Sequence, residues 1–241
     1  MWLRKPPQPH DAHLIHITAI LVLAGYANII SNEVLANIWH IPFQLGILGL
    51  ALLVARRAGT TWTSMGLRPD RVRSGAIVGG TVIGVIVLGV AVAVVASAFI
   101  PELNDLFQRE DIVNGSIGWV LFQALVRIPL ATALYEEVLF RGIVFGMFAR
   151  RYSPLVAAVV TSLLFGLWHI LPTLEMSPIG DTGTYLGLSA TIIGSVAGTA
   201  IAGLGFLLVR LYANSTVASV LAHIGTNSVA MLGALFVIHV L

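Results

Sequence analysis

Polar residues that can take part in acid–base chemistry lie inside apolar stretches of this chain. Glu136 stands beside Glu137 in LYEEVLFRGI, His169 lies near the end of SLLFGLWHI, and His223 precedes Asn227 by four positions in LAHIGTNSV. A carboxylate in an apolar site can act as a general base on water, and a histidine can orient that water and later protonate a leaving amine. An imidazole and an amide on one helix face can donate hydrogen bonds to an oxyanion. These residue types therefore predict hydrolysis of an amide bond by activated water.

The two neighbouring glutamates are predicted to have different roles. Glu137 and Arg141 are four residues apart with the acid first, which is the favourable orientation for an ion pair within an α-helix. Glu136 lies about 100° away around the helix, because an α-helix has 3.6 residues per turn. We therefore expect Glu137 to neutralise Arg141, and Glu136 to form a catalytic couple with His169. A structural cluster in which both carboxylates share Arg141 is the alternative.

The sequence favours a water nucleophile without a cofactor. It contains no cysteine and no serine in a G-x-S-x-G elbow, so a covalent nucleophile is not expected. Zinc is the alternative, since Glu136, His169 and His223 would form a set of two histidines and one glutamate of the kind that zinc hydrolases use. Against zinc, the H-E-x-x-H motif is absent, and Asn227 is not a usual zinc ligand.

The elements that position these residues are predicted to be membrane-spanning helices. Of the 241 residues, 57% are hydrophobic and only 10% are charged, and the mean hydropathy is +0.93. An ordinary soluble domain has about 25% charged residues. We predict an all-α fold, a polytopic transmembrane helix bundle of about seven to eight helices with a polar intramembrane cavity, as a single domain over residues 1–241. The apolar runs that carry this prediction lie at roughly 14–31, 38–55, 75–100, 129–149, 153–170, 187–209 and 216–239.

Two details of these helices are also predicted. The segment from Ser116 to Arg127 either extends the fourth helix or lies in the membrane interface, because Pro129 is expected to kink or restart the helix. Glycines four residues apart predict close packing between helices. These pairs are Gly80 with Gly84, Gly142 with Gly146, and Gly194 with Gly198.

Three motifs in a fixed order resemble those of a known family. They are E-E-x-x-x-R (Glu136, Glu137, Arg141), F-x-x-x-H (Phe165, His169) and H-x-x-x-N (His223, Asn227), within a core of about residues 117–230. This ordered set resembles the CPBP family, also called the ABI family, which contains the type II CAAX prenyl endopeptidases and bacteriocin-processing or self-immunity proteins. The resemblance implies an intramembrane endopeptidase in which Glu136 and His169 activate water and His223 with Asn227 forms the oxyanion site. Glu137, Arg141 and Phe165 would support them.

The resemblance also implies partners and a location. The expected substrate is a peptide or a prenylated or lipidated protein, with membrane lipids around the helices. Basic residues flank the apolar runs as the positive-inside rule describes, so the pI near 9.3 does not indicate a nucleic-acid partner. A non-catalytic self-immunity or transport-like protein with the same polar cavity is the competing interpretation, although the inverted repeats typical of transporters are not visible. We expect a multi-pass integral protein, in the plasma membrane of a prokaryote, whose oligomeric state the sequence does not fix.

Overall fold

The computed structural model describes residues 10–108, 110–176 and 184–241, and all regular elements in these ranges are helical. The structure therefore confirms the predicted all-α class. Shorter 3-10 or π-helical segments precede or continue several of the α-helices. The α-helices are α1 (His10–Ile29), α2 (His40–Arg57), α3 (Val72–Ser97), α4 (Pro101–Asp105), α5 (Glu110–Val113), α6 (Ile117–Phe122), α7 (Phe145–Phe148), α8 (Pro154–Trp168), α9 (Ile170–Met176), α10 (Tyr185–Ala213), α11 (Thr216–Ile224) and α12 (Ala230–Val240).

Six helical stretches in the described ranges are long and apolar enough to cross a membrane. The predicted span at 38–55 is also helical, as α2, but it has only 18 residues, ends in Arg56 and Arg57, and is not among the six. About 20 apolar residues are needed to cross the hydrocarbon core, so α2 is near the lower limit. The structure thus confirms a polytopic bundle of membrane helices. The six stretches are Leu14–Val34, Pro69–Ser97, Ile117–Phe148, Pro154–Glu175, Tyr185–Ala213 and Thr216–Val240.

The fourth predicted span is longer than its apolar run indicated. Helix α6 continues through the π-helical stretches Gln123–Leu134 and Glu137–Val144 into α7, which gives a run of 32 residues. Pro129 lies inside the first π-helical stretch, where the hydrogen-bond ladder runs from i to i+5. Of the kink and the restart expected at Pro129, the restart is therefore wrong, because the chain accommodates the proline in a wider turn. The kink stays a prediction. Of the two alternatives for residues 116–127, extension of the helix is correct.

Residue contacts divide the chain into two compact units, each built from two separate segments. The first unit contains Met1–Met65 and Leu139–Leu204, and the second contains Gly66–Val138 and Gly205–Leu241. The chain passes from the second unit to the first within the run of helix at 117–148, and back again within α10. The single transmembrane domain over residues 1–241 stays a prediction.

In the second unit, α3 packs against α11 and the turn before it through glycines other than the predicted ones. A Cβ atom on Gly75 would lie 2.5 Å from the Oγ atom of Ser215, and one on Gly79 would lie 2.6 Å from the Cβ atom of Leu221. Such distances leave no room for a side chain. Four-residue spacing identifies a helix face but not which face meets a neighbour, so the prediction failed for two of the three pairs. In these two pairs, Gly80 with Gly84 and Gly194 with Gly198, an added Cβ would have no neighbour within 4 Å.

Candidate active site

Glu136 and Glu137 lie on a stretch of helix that is buried on every face. Residues 135–147 are all buried, with Glu136 at 7% and Glu137 at 0% exposure. Ionisable residues in membrane helices normally face the protein interior or a wet cavity and have polar partners, because an unpaired charge in hydrocarbon is costly. This helix therefore presents its carboxylates to protein rather than to lipid.

Glu137 has a histidine partner in the second unit. The Nδ1 atom of His223 lies 2.9 Å from the Oε1 atom of Glu137, and His223 is only 3% exposed. An ionised carboxylate can only accept hydrogen bonds, so the Nδ1–H group of His223 is the donor. This contact was not predicted from the sequence, where the spacing assigned Glu137 to Arg141. That ion pair joins residues of the two units and stays a prediction.

Asn227 engages the other nitrogen of the same histidine. The Nδ2 atom of Asn227 lies 3.2 Å from the Nε2 atom of His223. With the proton on Nδ1, Nε2 carries a lone pair and accepts a hydrogen bond from the amide. The structure thus confirms that the two residues share one helix face. Phe206 stacks on the imidazole, with 4.8 Å between the ring centres and 15° between the planes, and only its aromatic character in an apolar run could have indicated it.

The residues present do not fit the zinc alternative well. Both ring nitrogens of His223 have side-chain partners, so the histidine would have to release Asn227 to offer a lone pair to a metal ion. Within the described ranges, no group of three or more His, Asp or Glu side chains lies close enough together to hold a metal ion. The preference for water without a metal stays a prediction.

In the first unit, Arg141 lies over the ring of Phe165. Its guanidinium carbon is 3.8 Å from the ring centre, and its Nε atom donates to the main-chain oxygen of Gly203 at 3.3 Å. Arg141 is 2% exposed, and a cation over an aromatic face is most stabilising where water is excluded. A Cβ atom on Gly203 would lie 2.7 Å from the Nη2 atom of Arg141, so glycine leaves the space that the guanidinium fills.

His169 lies at the junction between α8 and α9. Its main-chain N–H bonds to the carbonyl of Gly166 at 3.0 Å, and its ring Nδ1 atom lies 2.8 Å from the carbonyl oxygen of Phe165. A carbonyl only accepts, so Nδ1 carries the proton and Nε2 carries the lone pair. The Phe165 ring packs edge-on against the imidazole at 4.7 Å between centres. Phe165 therefore orients His169 with both its main chain and its side chain, and Nε2 is the nitrogen that can act as a base.

The predicted site residues form two groups, one in each unit. The predicted couple of Glu136 and His169 joins the two units, so it stays a prediction. The first unit brings together Arg141, Phe165 and His169, whereas the second brings together Glu137, His223 and Asn227 and also contains Glu136.

The comparison with protein families agrees with the motifs. Residues 118–229 match the family described as Type II CAAX prenyl endopeptidase Rce1-like. Comparison with curated proteins and with solved structures gives no match. The matched range coincides with the predicted core of about residues 117–230 and contains every predicted site residue. Residues 118–229 of this multi-pass membrane protein are therefore similar to the type II CAAX prenyl endopeptidases of the Rce1-like family, in agreement with the ordered motifs.

Proposed function

We propose that the protein is an intramembrane endopeptidase that hydrolyses a peptide bond in a prenylated or otherwise lipidated substrate. The observation that carries this proposal is the buried chain of hydrogen bonds from Asn227 through His223 to Glu137. Glu137 fixes the imidazole of His223, and the imidazole fixes the amide of Asn227, so both groups are held in place to interact with a negatively charged oxygen. The Rce1-like domain supports the same reaction class.

In this mechanism, Glu136 and His169 activate the water. Glu136 takes a proton as the water oxygen attacks the carbonyl carbon of the substrate, and the lone pair on Nε2 of His169 orients that water. The charge that develops on the carbonyl oxygen is received by the amide hydrogens of Asn227 and by His223. For this, His223 takes up a second proton from solvent on Nε2 in exchange for its hydrogen bond from Asn227, and Glu137 stabilises the resulting positive charge. The carbon–nitrogen bond then breaks, and the proton taken from water passes through His169 to the leaving amine.

Reconstitution of the purified protein in lipid nanodiscs tests the reaction. Farnesylated or geranylgeranylated peptides are offered beside unlipidated peptides of the same sequence, and products are identified by mass spectrometry. We expect cleavage of the lipidated peptides and a decrease in kcat of about 10²-fold to 10⁴-fold in Glu136→Gln and His169→Gln. Glu102→Gln and His239→Gln are matched controls, because both residues are exposed outside the proposed site.

Other results of this cleavage assay would contradict parts of the proposal. Cleavage that persists in both Glu136→Gln and His169→Gln would contradict the proposed catalytic couple. A folded wild-type protein that binds the lipidated peptide without cleaving it would favour the non-catalytic alternative. Addition of phenanthroline is expected to leave activity unchanged, whereas loss of activity that zinc restores would establish the metal alternative.

The proposal includes the plasma membrane of a prokaryote as the location of the protein. The three motifs resemble those of the CPBP family, which includes bacteriocin-processing proteins, and this resemblance supports the proposed location. Fractionation of the source cells, with antibody detection in the plasma-membrane fraction, tests it, and recovery in another membrane would contradict it.

A further inference from the structure

A proline three residues after His169 removes a main-chain donor next to this proposed catalytic residue. In an α-helix the carbonyl of Trp168 would accept from the N–H of residue 172, but Pro172 has no N–H, and its ring crowds that carbonyl. Accordingly, α8 ends at Trp168 and α9 begins at Ile170. The oxygen of Trp168 therefore lacks the main-chain donor one turn further on, and a side-chain partner can take the place of that donor.

Asn28 of α1 supplies that partner within the first unit. Its Nδ2 atom donates to the main-chain oxygen of Trp168 at 3.0 Å, across a sequence separation of 140 residues, and both residues are 8% exposed. Asn32, one turn further on, donates through Nδ2 to the Oδ1 atom of Asn28 at 2.8 Å. A carboxamide whose oxygen accepts on one side presents its NH₂ group on the other. Asn32 therefore orients Asn28, and Asn28 replaces the donor that Pro172 lacks.

The carbonyl on the other side of the junction is also held by a side chain. The hydroxyl of Thr173 donates to the main-chain oxygen of His169 at 2.6 Å, and its oxygen lies 2.6 Å from the Oγ atom of Ser195. The main chain on both sides of His169 is thus fixed by side chains. In this main-chain conformation the N–H of His169 donates to the carbonyl of Gly166. The carbonyl of Phe165 is therefore available to accept a hydrogen bond from Nδ1–H of the imidazole.

We propose that Asn28, oriented by Asn32, is a positioning residue for His169. By capping the carbonyl of Trp168 it maintains the helix junction in which Nδ1–H of His169 bonds to Phe165 and the lone pair on Nε2 is left to orient the water. The catalytic consequence rests on the proposed function, whereas the control of the imidazole proton does not. Asn28 lies outside residues 118–229, so the domain matched by the family model depends on a residue of the N-terminal helix.

Nuclear magnetic resonance of ¹⁵N-labelled histidines in nanodiscs tests the positioning without any substrate. We expect neutral His169 in the wild type to carry its proton on Nδ1, and Asn28→Leu to lose this preference, so that a second signal with the proton on Nε2 appears. Gln44→Leu is the matched control, because it removes another buried hydrogen bond to the N-terminal helical segment, from Nε2 of Gln44 to Ser31 at 2.8 Å. It should lower stability and leave the His169 signal unchanged.

A second substitution separates positioning from stability. Pro172→Ala restores a main-chain N–H that can reach the carbonyl of Trp168. In the double variant Asn28→Leu with Pro172→Ala, we expect the thermal stability to recover while the Nδ1–H signal of His169 does not. Recovery of both together, or a wild-type His169 signal in Asn28→Leu, would overturn the proposal.

Kinetics then link the positioning to the reaction. Asn28→Leu is expected to lower kcat by up to about 100-fold with KM unchanged, since a displaced catalytic group slows the chemical step more than binding. Gln44→Leu should retain the wild-type kcat. A wild-type protein that cleaves nothing would refute the proposed function alone, because the NMR comparison still decides the role of Asn28. A wild-type kcat in Asn28→Leu, in a protein that does cleave, would refute the role of Asn28 alone.

Discussion

Replacement of Glu137 by glutamine keeps the shape of the side chain and removes its charge. The bond from Nδ1 of His223 to Oε1 of Glu137 is 2.9 Å long, and the exposures of the two side chains are 4% and 0%. A hydrogen bond to a charged group contributes about 1.5–3 kcal/mol. If this bond stabilises protonated His223 only in the transition state, its loss lowers kcat by about 10-fold to 150-fold, at 1.36 kcal/mol per factor of ten. A glutamine oxygen that still accepts from Nδ1–H would bring the effect towards the lower value.

The assay for Glu137→Gln measures kcat and KM with a lipidated peptide in nanodiscs, beside the exposed control Glu102→Gln. KM should stay near the wild-type value, because the proposed role of Glu137 is to hold His223 rather than to touch the substrate. The ¹⁵N signals of His223 should shift in the same variant. A folded variant with wild-type kcat, or one in which KM alone rises, would refute this reasoning.

Further predictions concern packing within each unit and are measured by thermal unfolding in detergent micelles. Gly79→Ala should destabilise the protein by about 1–3 kcal/mol, because the new methyl group would overlap Leu221, whereas Gly80→Ala enters open space and should be neutral or slightly stabilising. Equal stabilities of these two variants would contradict the assigned packing face. Arg141→Lys should cost about 1–2 kcal/mol, because an ammonium group cannot reproduce the planar contact with Phe165; an unchanged melting temperature would show that this contact contributes little.

The helices were predictable because a backbone inside lipid must satisfy its own hydrogen bonds, so long apolar runs can only be helical here. The exact course of the fourth span was not predictable in the same way. A proline such as Pro129 normally interrupts the hydrogen bonds of an α-helix. No local sequence pattern indicates that the chain will form a wider π-helix instead. The packing glycines were missed for a related reason, since spacing alone could not distinguish Gly75 and Gly79 from Gly80 and Gly84.

Within the site, contacts along one helix were predictable and contacts between distant segments were not. His223 and Asn227 are four residues apart, so their shared face follows from helix geometry. The bond between Glu137 and His223 joins residues 86 positions apart, and the nearby Arg141 offered a simpler partner for the carboxylate. For Asn28, the only local signal was Pro172, which indicates that a carbonyl needs a donor but not which residue provides it.

The interleaving of the two units determines when each one can form during synthesis. The ribosome releases the N-terminus first, but the first unit needs residues up to Leu204, and the second needs the segment from Gly205 to Leu241. Helix α3 therefore enters the membrane long before its partner α11 exists, with Gly75 and Gly79 open to lipid or to the insertion machinery. Neither half of the nascent chain contains a complete unit, so the first unit waits for residues up to Leu204 and the second for the last helices of the chain.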